Sequence, residues 1–352
     1  MTSSFRHEDC ASGRHTHTRP LDDRALSARL RTSDPLQLVT HARGSAWLAG
    51  SLVVCLIASW PGLGLGLRPA GSLALSADIT PPARITDLSD GPTVVLVGAG
   101  DIANGGSGAE ATARLLDNIP GTVFTAGDNA YPDGTDADYA QKYDPTWGRH
   151  KARTRPCPGN HEYHTPGAPG YFNYFGASAG PSGLGYYSYN LGDWHIISLN
   201  SETSMSAGSP QEQWLRADLA SNHMDCILAY WHRARFSSGT HGNQADTQPL
   251  WQALYEAGAE IVVVGHDHNY QRFAPQTATG QADPVRGIRE FVAGMGGAGH
   301  YVFTTPIVNT EAYNVDTDGV LKLTLGPGTY SWEFVPVAGQ TYTDWGSGVC
   351  HR

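Results

Sequence analysis

Positive charge is scarce in this chain: 23 Lys and Arg stand against 33 Asp and Glu, a formal net charge of −10 with neutral histidines. The first 77 residues hold eight of those basic residues and five of those acids, leaving about 15 and about 28 in the remainder. So acidic a chain lacks the positive footprint that nucleic-acid phosphates require, and no nucleic-acid binding surface is expected. An anionic substrate would need local positive charge, which metal ions supply. Cysteine is sparse too: beyond Cys10 and Cys55 there are only Cys157, Cys226 and Cys350. None has CxxC spacing, which argues against zinc-thiolate chemistry, and three thiols allow at most one internal bridge. Cys157, close to Gly159, and Cys226, opening an apolar run, read as packed core thiols, and Cys350 near the chain end would serve as a tether in an oxidising compartment. The pairing stays open. Internal repeats are absent, and the Gly-Gly-Ser-Gly cluster at 105–108 lacks the Lys-Ser/Thr ending of a phosphate loop, so it reads as a turn.

With 352 residues and 40% hydrophobic content, the chain can bury one large core or two ordinary ones. The stretch 45–60 (SAWLAGSLVVCLIASW) is apolar and uncharged, about the length of a signal h-region and slightly short for a spanning helix. Pro61 and the Gly repeat after it argue against a buried helix, and Ala74-Leu75-Ser76-Ala77 is an acceptable cleavage signal. Residues 1–77 are therefore expected to form an export leader, either removed or kept as a membrane-contacting anchor. Its n-region of about 44 residues is long enough to suggest a start downstream of Met1. The product would be secreted or held at the cell surface.

Beyond the leader, strand and helix signals alternate. Residues 93–97 (TVVLV), 122–125 (TVFT), 226–230 (CILAY) and 260–264 (EIVVV) read as strands, and 186–190 with 194–200 as an antiparallel hairpin. Helices are expected over about 108–117, 136–143, 210–219 and 247–257, followed from Arg289 by short strands with Gly-rich turns.

Onto this frame fall five short segments in order: Gly100-Asp101, Gly127-Asp128-Asn129-Ala130-Tyr131, Gly159-Asn160-His161-Glu162, Trp231-His232 and Gly265-His266-Asp267-His268. Each places a metal-binding or proton-carrying side chain beside a glycine or at a strand end. A lone Gly-Asp is usually a turn and a lone His a satisfied core residue. Together, however, carboxylate, phenol, amide and imidazole make the ligand mix that two adjacent hard or borderline cations need. Ligands at the carboxyl ends of strands also fit where α/β folds place their sites.

The order and character of these five motifs resemble the calcineurin-like metallophosphoesterase superfamily, and within it the purple acid phosphatase branch. The match covers roughly residues 94–272. Many members have Asp-x-His in the first motif, whereas position 103 is Ala; Tyr131, three residues after Asp128, stands where the purple acid branch supplies a tyrosinate. The resemblance implies an α/β fold of two packed mixed β-sheets flanked by helices (an α/β/β/α sandwich), spanning residues 78–352 as a single catalytic domain. It implies two metal ions: one held by Asp101, Asp128, Tyr131 and His268, the other by Asn160, His232 and His266, with Asp128 bridging. Fe(III) is expected at the Tyr131 site, with divalent Fe, Zn or Mn beside it. The implied activity is hydrolysis of phosphate monoesters, small-molecule phosphoesters attacked by metal-activated hydroxide. Phosphodiester hydrolysis on the same core is the near alternative, and a non-catalytic metal- or phosphate-binding surface protein the alternative of another class.

His161, beside Glu162 that would fix its orientation or tautomer, and His241, nine residues after His232, are the candidates for protonating the leaving alkoxide. Arg233 and Arg235 could contact substrate phosphate through their forks. His195 reads as structural, and His164 and His300 as surface or core residues. The segment Arg-Ala-Arg-Phe-Ser-Ser from Arg233 departs from the Pro- and Tyr-containing version of the better-known acid phosphatases, which leaves substrate preference open.

Overall fold

The structure is a computed structural model that describes residues 92–303 and 305–351. The expected leader, residues 1–77, lies outside the described residues. Two mixed sheets stack face to face. One has six strands in the order β13-β12-β11-β1-β2-β3 and the other seven in the order β10-β8-β9-β7-β6-β5-β4. The first sheet is built from β1 (Val94–Ala99), β2 (Thr122–Ala126), β3 (Thr154–Cys157), β11 (Gly319–Gly326), β12 (Thr329–Pro336) and β13 (Trp345–Val349). The second contains β4 (Tyr187–Leu191), β5 (Trp194–Ser198), β6 (Cys226–Tyr230), β7 (Ile261–Val264), β8 (Tyr270–Phe273), β9 (Arg289–Ala293) and β10 (Thr310–Asn314).

Successive side chains of a strand point to opposite faces, and here both faces are covered. Along β6, Cys226, Leu228 and Tyr230 enter the layer between the sheets with Leu96, Phe124 and Leu323. Ile227 and Ala229 face outward instead, under Leu215 and Leu219 of α5 (Pro210–Ser221) and Trp251 and Leu254 of α6 (Gln248–Ala257). That double burial is why β6 and β7 are continuous apolar runs rather than alternating ones. On the far side, Ala113 and Leu116 of α1 (Gly108–Asn118) and Tyr171 and Phe175 of α4 (Pro169–Phe175) pack on Val97 and Val123. The layers are thus helices, sheet, sheet, helices, as expected.

Three expectations need correcting. The segment 136–143 is one α-turn, α2 (Asp136–Asp138), continued by a π-turn over Tyr139–Tyr143; Thr135 and Asp138 close a capping box at its start. The tail after Arg289 is not only short strands, because β11 and β12 run eight residues each, and β11 pairs antiparallel with β1 inside the six-stranded sheet. Cys226 is not a free core thiol: it is bonded to Cys350, 124 residues away, leaving Cys157 free and buried.

The topology decides where the site lies. β1, β2 and β3 run parallel to one another in one sheet, and β5, β6, β7 and β9 in the other. The loops at their carboxyl ends meet between the sheets, where the Gly100 N–H donates to the Ala293 carbonyl at 2.8 Å.

Candidate metal centre

Asp101 follows β1, Asp128 follows β2, Asn160 opens α3 (Asn160–Tyr163) just after β3, His232 follows β6, and His266 and His268 follow β7. Three of these six residues leave their strands in the left-handed region, with φ of 60° at Asp101, 49° at Asp128 and 72° at His266. Non-glycine residues enter that region at a cost, and such strain clusters at functional sites. Close packing also explains two motif glycines. A Cβ at Gly159 would lie 2.3 Å from Asp128 Oδ1, and one at Gly127 would lie 2.5 Å from the His232 ring.

Two sets of donor atoms converge. In one, the Tyr131 hydroxyl is 3.0 Å from Asp101 Oδ1, 3.2 Å from Asp128 Oδ2 and 3.0 Å from His268 Nε2. In the other, His232 Nε2 is 3.2 Å from Asp128 Oδ2, 3.0 Å from Asn160 Oδ1 and 3.1 Å from His266 Nδ1. Asp128, His232 and His266 alone form a cluster able to hold an ion. All of these side chains are buried except that of Asn160, which is half-buried. Separations near 3 Å are what ligand atoms about 2.0–2.2 Å from one cation would show.

The electrostatics suit cations. Burial, then the Asp101 and Asp128 carboxylates, push the Tyr131 hydroxyl well above the ordinary phenol range. Burial and the neighbouring His232 and His241 hold His266 far below the ordinary imidazole range, so it is neutral with a lone pair to give. Burial would lower His232 likewise, but Asp128 outweighs it and lifts the imidazole to about 10. The His232 Nδ1–H donates to the Ala126 carbonyl at 2.8 Å, which orients Nε2 toward the donor set.

The remaining candidates are placed differently. His161 sits at the rim, its side chain 25% exposed, with Nε2 3.7 Å from Asp128 Oδ2 and Nδ1 bonded to the Pro132 carbonyl. Glu162 does not orient it. Instead the buried Glu162 carboxylate accepts N–H groups of Gly159 at 2.8 Å, Asn129 at 2.9 Å and Ala130 at 3.2 Å, stitching together two donor-bearing loops. Burial and the Asp128 charge push Glu162 up to about 7, against those N–H groups, which favour the anion. The exposed His241 ring stacks on His266, centroids 3.8 Å apart. Arg233 is held by both carboxylate oxygens of Glu202 at 2.8 Å. The buried Arg235 guanidinium is bonded to the Ala278 carbonyl and Gln248, so a phosphate could reach it only by breaking those bonds. His195 is fixed between Asn190 and Asp218, His300 pairs with Asp318, and His164 with Asp133.

Two residues escaped the sequence reading. Tyr301 lies parallel to His268 at 4.0 Å, its N–H donating to the His268 carbonyl. Nothing in the surrounding Gly-rich sequence signals this. Asp267, inside the last motif, is buried beside the donor histidines, and its position between two of them was the available clue.

Comparison with known proteins identifies a family. Residues 83–270, more than half of the chain, match the family model of the calcineurin-like phosphoesterases. Purple acid phosphatase 15 of Arabidopsis thaliana is 27% identical over 211 residues, 49% of this chain and 40% of that protein. Purple acid phosphatase 18 of the same plant is 29% identical over 232 residues, 58% of this chain and 48% of that protein. The chain thus spans half or less of the length of these curated relatives. Among solved structures, purple acid phosphatase PPD1 from yellow lupin seeds superposes with a TM-score of 0.59 at 18% identity, over 73% of this chain and 54% of that one, a likeness of fold alone. The five motifs, the sandwich and the family match together make this chain a member of the calcineurin-like metallophosphoesterases, with purple acid phosphatases among its relatives.

Proposed function

We propose that this chain is an exported phosphoesterase with a binuclear metal centre, hydrolysing phosphate monoesters. The observation that carries the reading is Asp128 Oδ2, which lies 3.2 Å from Tyr131 Oη in one donor set and 3.2 Å from His232 Nε2 in the other. A carboxylate so placed can bridge two ions. Asp101, Asp128, Tyr131 and His268 would hold the first, the phenolate favouring a trivalent ion such as Fe(III). Asn160, His232 and His266, with Asp128, would hold a divalent Fe, Zn or Mn. Ions held there would supply a nucleophile at neutral pH and neutralise charge on the phosphoryl oxygens.

The protein's own groups do the rest. Tyr131, pushed above the ordinary phenol range, would ionise only against a cation. His161, whose Nδ1 is tied to the Pro132 carbonyl, turns Nε2 toward the donor set, 3.7 Å from Asp128 Oδ2, where it would carry the proton that a leaving alkoxide takes. His241, stacked over His266, is the second group able to do so. The Cys226–Cys350 bond supports export, since such bonds persist in oxidising compartments. No helix among the described residues is long and apolar enough to cross a membrane.

The test is turnover of an aryl monoester and an aryl diester by one sample purified without chelator. Faster monoester cleavage is expected. A faster diester would make the protein a phosphodiesterase, and two retained ions without turnover of either would overturn hydrolysis.

A further inference from the structure

Asp267 stands between His266 and His268, yet its carboxylate is engaged by a different segment. Asp267 Oδ1 accepts the His241 N–H at 2.9 Å, and Oδ2 accepts the Ser237 hydroxyl at 2.5 Å. Ser237 is held in turn: its Oγ accepts the Gly239 N–H at 3.0 Å and the Gln271 amide at 2.9 Å, and its own N–H donates to Asn243 Oδ1 at 2.9 Å. The loop can close down on the carboxylate only because position 239 is glycine, since a Cβ there would lie 2.3 Å from Asp267 Cγ. Asp267 itself is 1% exposed, so its hydrogen bonds act in a low-dielectric setting that strengthens them. The His241 ring is exposed, and an exposed loop histidine beside two glycines has many orientations unless its backbone is fixed.

We propose that Asp267 is a positioning residue that, through the His241 N–H, holds the His241 imidazole over the donor set for leaving-group protonation. This rests on the function proposed above. The consequence is confined to steps that use His241. Esters whose leaving group departs without a proton should barely notice the loss of Asp267, whereas alkyl esters should.

The experiment compares wild type, His241→Ala, Asp267→Ala, Asp267→Asn and the double variant His241→Ala/Asp267→Ala. Each is assayed with a nitrophenyl monoester and an alkyl monoester, with ion content and amide hydrogen exchange over residues 237–243 measured alongside. Asp267→Ala should keep two ions, lose about tenfold to hundredfold on the alkyl ester and far less on the nitrophenyl ester. It should also speed exchange at the His241 amide. Asp267→Asn, whose amide oxygen still accepts that N–H, should recover most of the loss, and the double variant should be no slower than His241→Ala. Ser237→Ala, which removes one of the two anchors, should shift the same ratio more weakly if Asp267→Ala fails to fold. Equal loss on both esters, an additive double variant, no rescue by Asn, or ion loss in Asp267→Ala with Ser237→Ala unaffected would each overturn the inference. If His241→Ala itself shows no dependence on the leaving group, the role of His241 fails and takes the inference with it.

Discussion

Replacing Cys350 with Ser opens a bond that closes 124 residues of chain. In the chain-entropy view, a loop of that size constrains the unfolded state by about 5 kcal/mol, and removing a native bridge costs about 2–5 kcal/mol in practice. The bond joins the two sheets, since Cys226 opens β6 of the seven-stranded sheet and Cys350 follows β13 at the edge of the six-stranded one. It is also far from the chemistry. Four of the six residue steps from Cys226 to His232 run along β6, which at about 3.3 Å each already separates the bond from the loop of His232 by about 13 Å. Urea unfolding of oxidised wild type, reduced wild type and Cys350→Ser should place the last two about 3–5 kcal/mol below the first and close to each other, with phosphoester turnover at 25 °C unchanged. Coincident curves with and without reductant would refute the reasoning.

Three further predictions follow from individual residues. Iron-loaded protein should absorb visible light through charge transfer from a Tyr131 phenolate; Tyr131→Phe should abolish the band, while Tyr163→Phe, whose hydroxyl accepts from Asn200 instead, should keep it. His161→Ala should slow an alkyl monoester about 100- to 10,000-fold with both ions retained, and a nitrophenyl monoester much less; equal loss on both would make His161 a phosphate-positioning group. The Asp318 hydrogen bond, against burial, raises the pKa of His300, so its stabilisation is complete below the unfolded value of about 6.5 and is lost as pH rises through the folded one. The stability gap between wild type and His300→Gln, measured by urea unfolding, should therefore be larger at pH ~5.5 than at pH ~8.5, and a gap that widens with pH would count against the pairing.

What the sequence made legible was local. β6 spans Cys226–Tyr230, as its apolar run predicts, because burial on both faces leaves no alternation to blur its ends. The donor residues were legible because each motif follows a strand, and all but that of His232 carry a glycine; the sheets then bring those strand ends together. β3 was missed, as a four-residue strand carrying Arg155 and Pro156 has almost no strand signature. The length of β11 was missed although its alternation is a strand signature: Leu321, Leu323 and Leu325 enter the core while Lys322 and Thr324 point to the other face. Partner choice over long separations was not legible at all. Glu202 captures Arg233 from 31 residues upstream, Glu162 turns to backbone N–H groups rather than to its neighbour His161, and Tyr301 covers His268 from a glycine-rich loop. Each depends on how separate elements meet, which no periodicity encodes.

The claim that Asp128 joins two donor sets into one binuclear centre is tested most directly by counting ions. Protein purified without chelator should carry two ions per chain. Asn160→Ala and His232→Ala, which remove donors from one set only, should each fall toward one ion and lose activity, because the donors around Tyr131 remain in place. Two full ions retained in either variant, or a single ion in the wild type under saturating metal, would contradict the account.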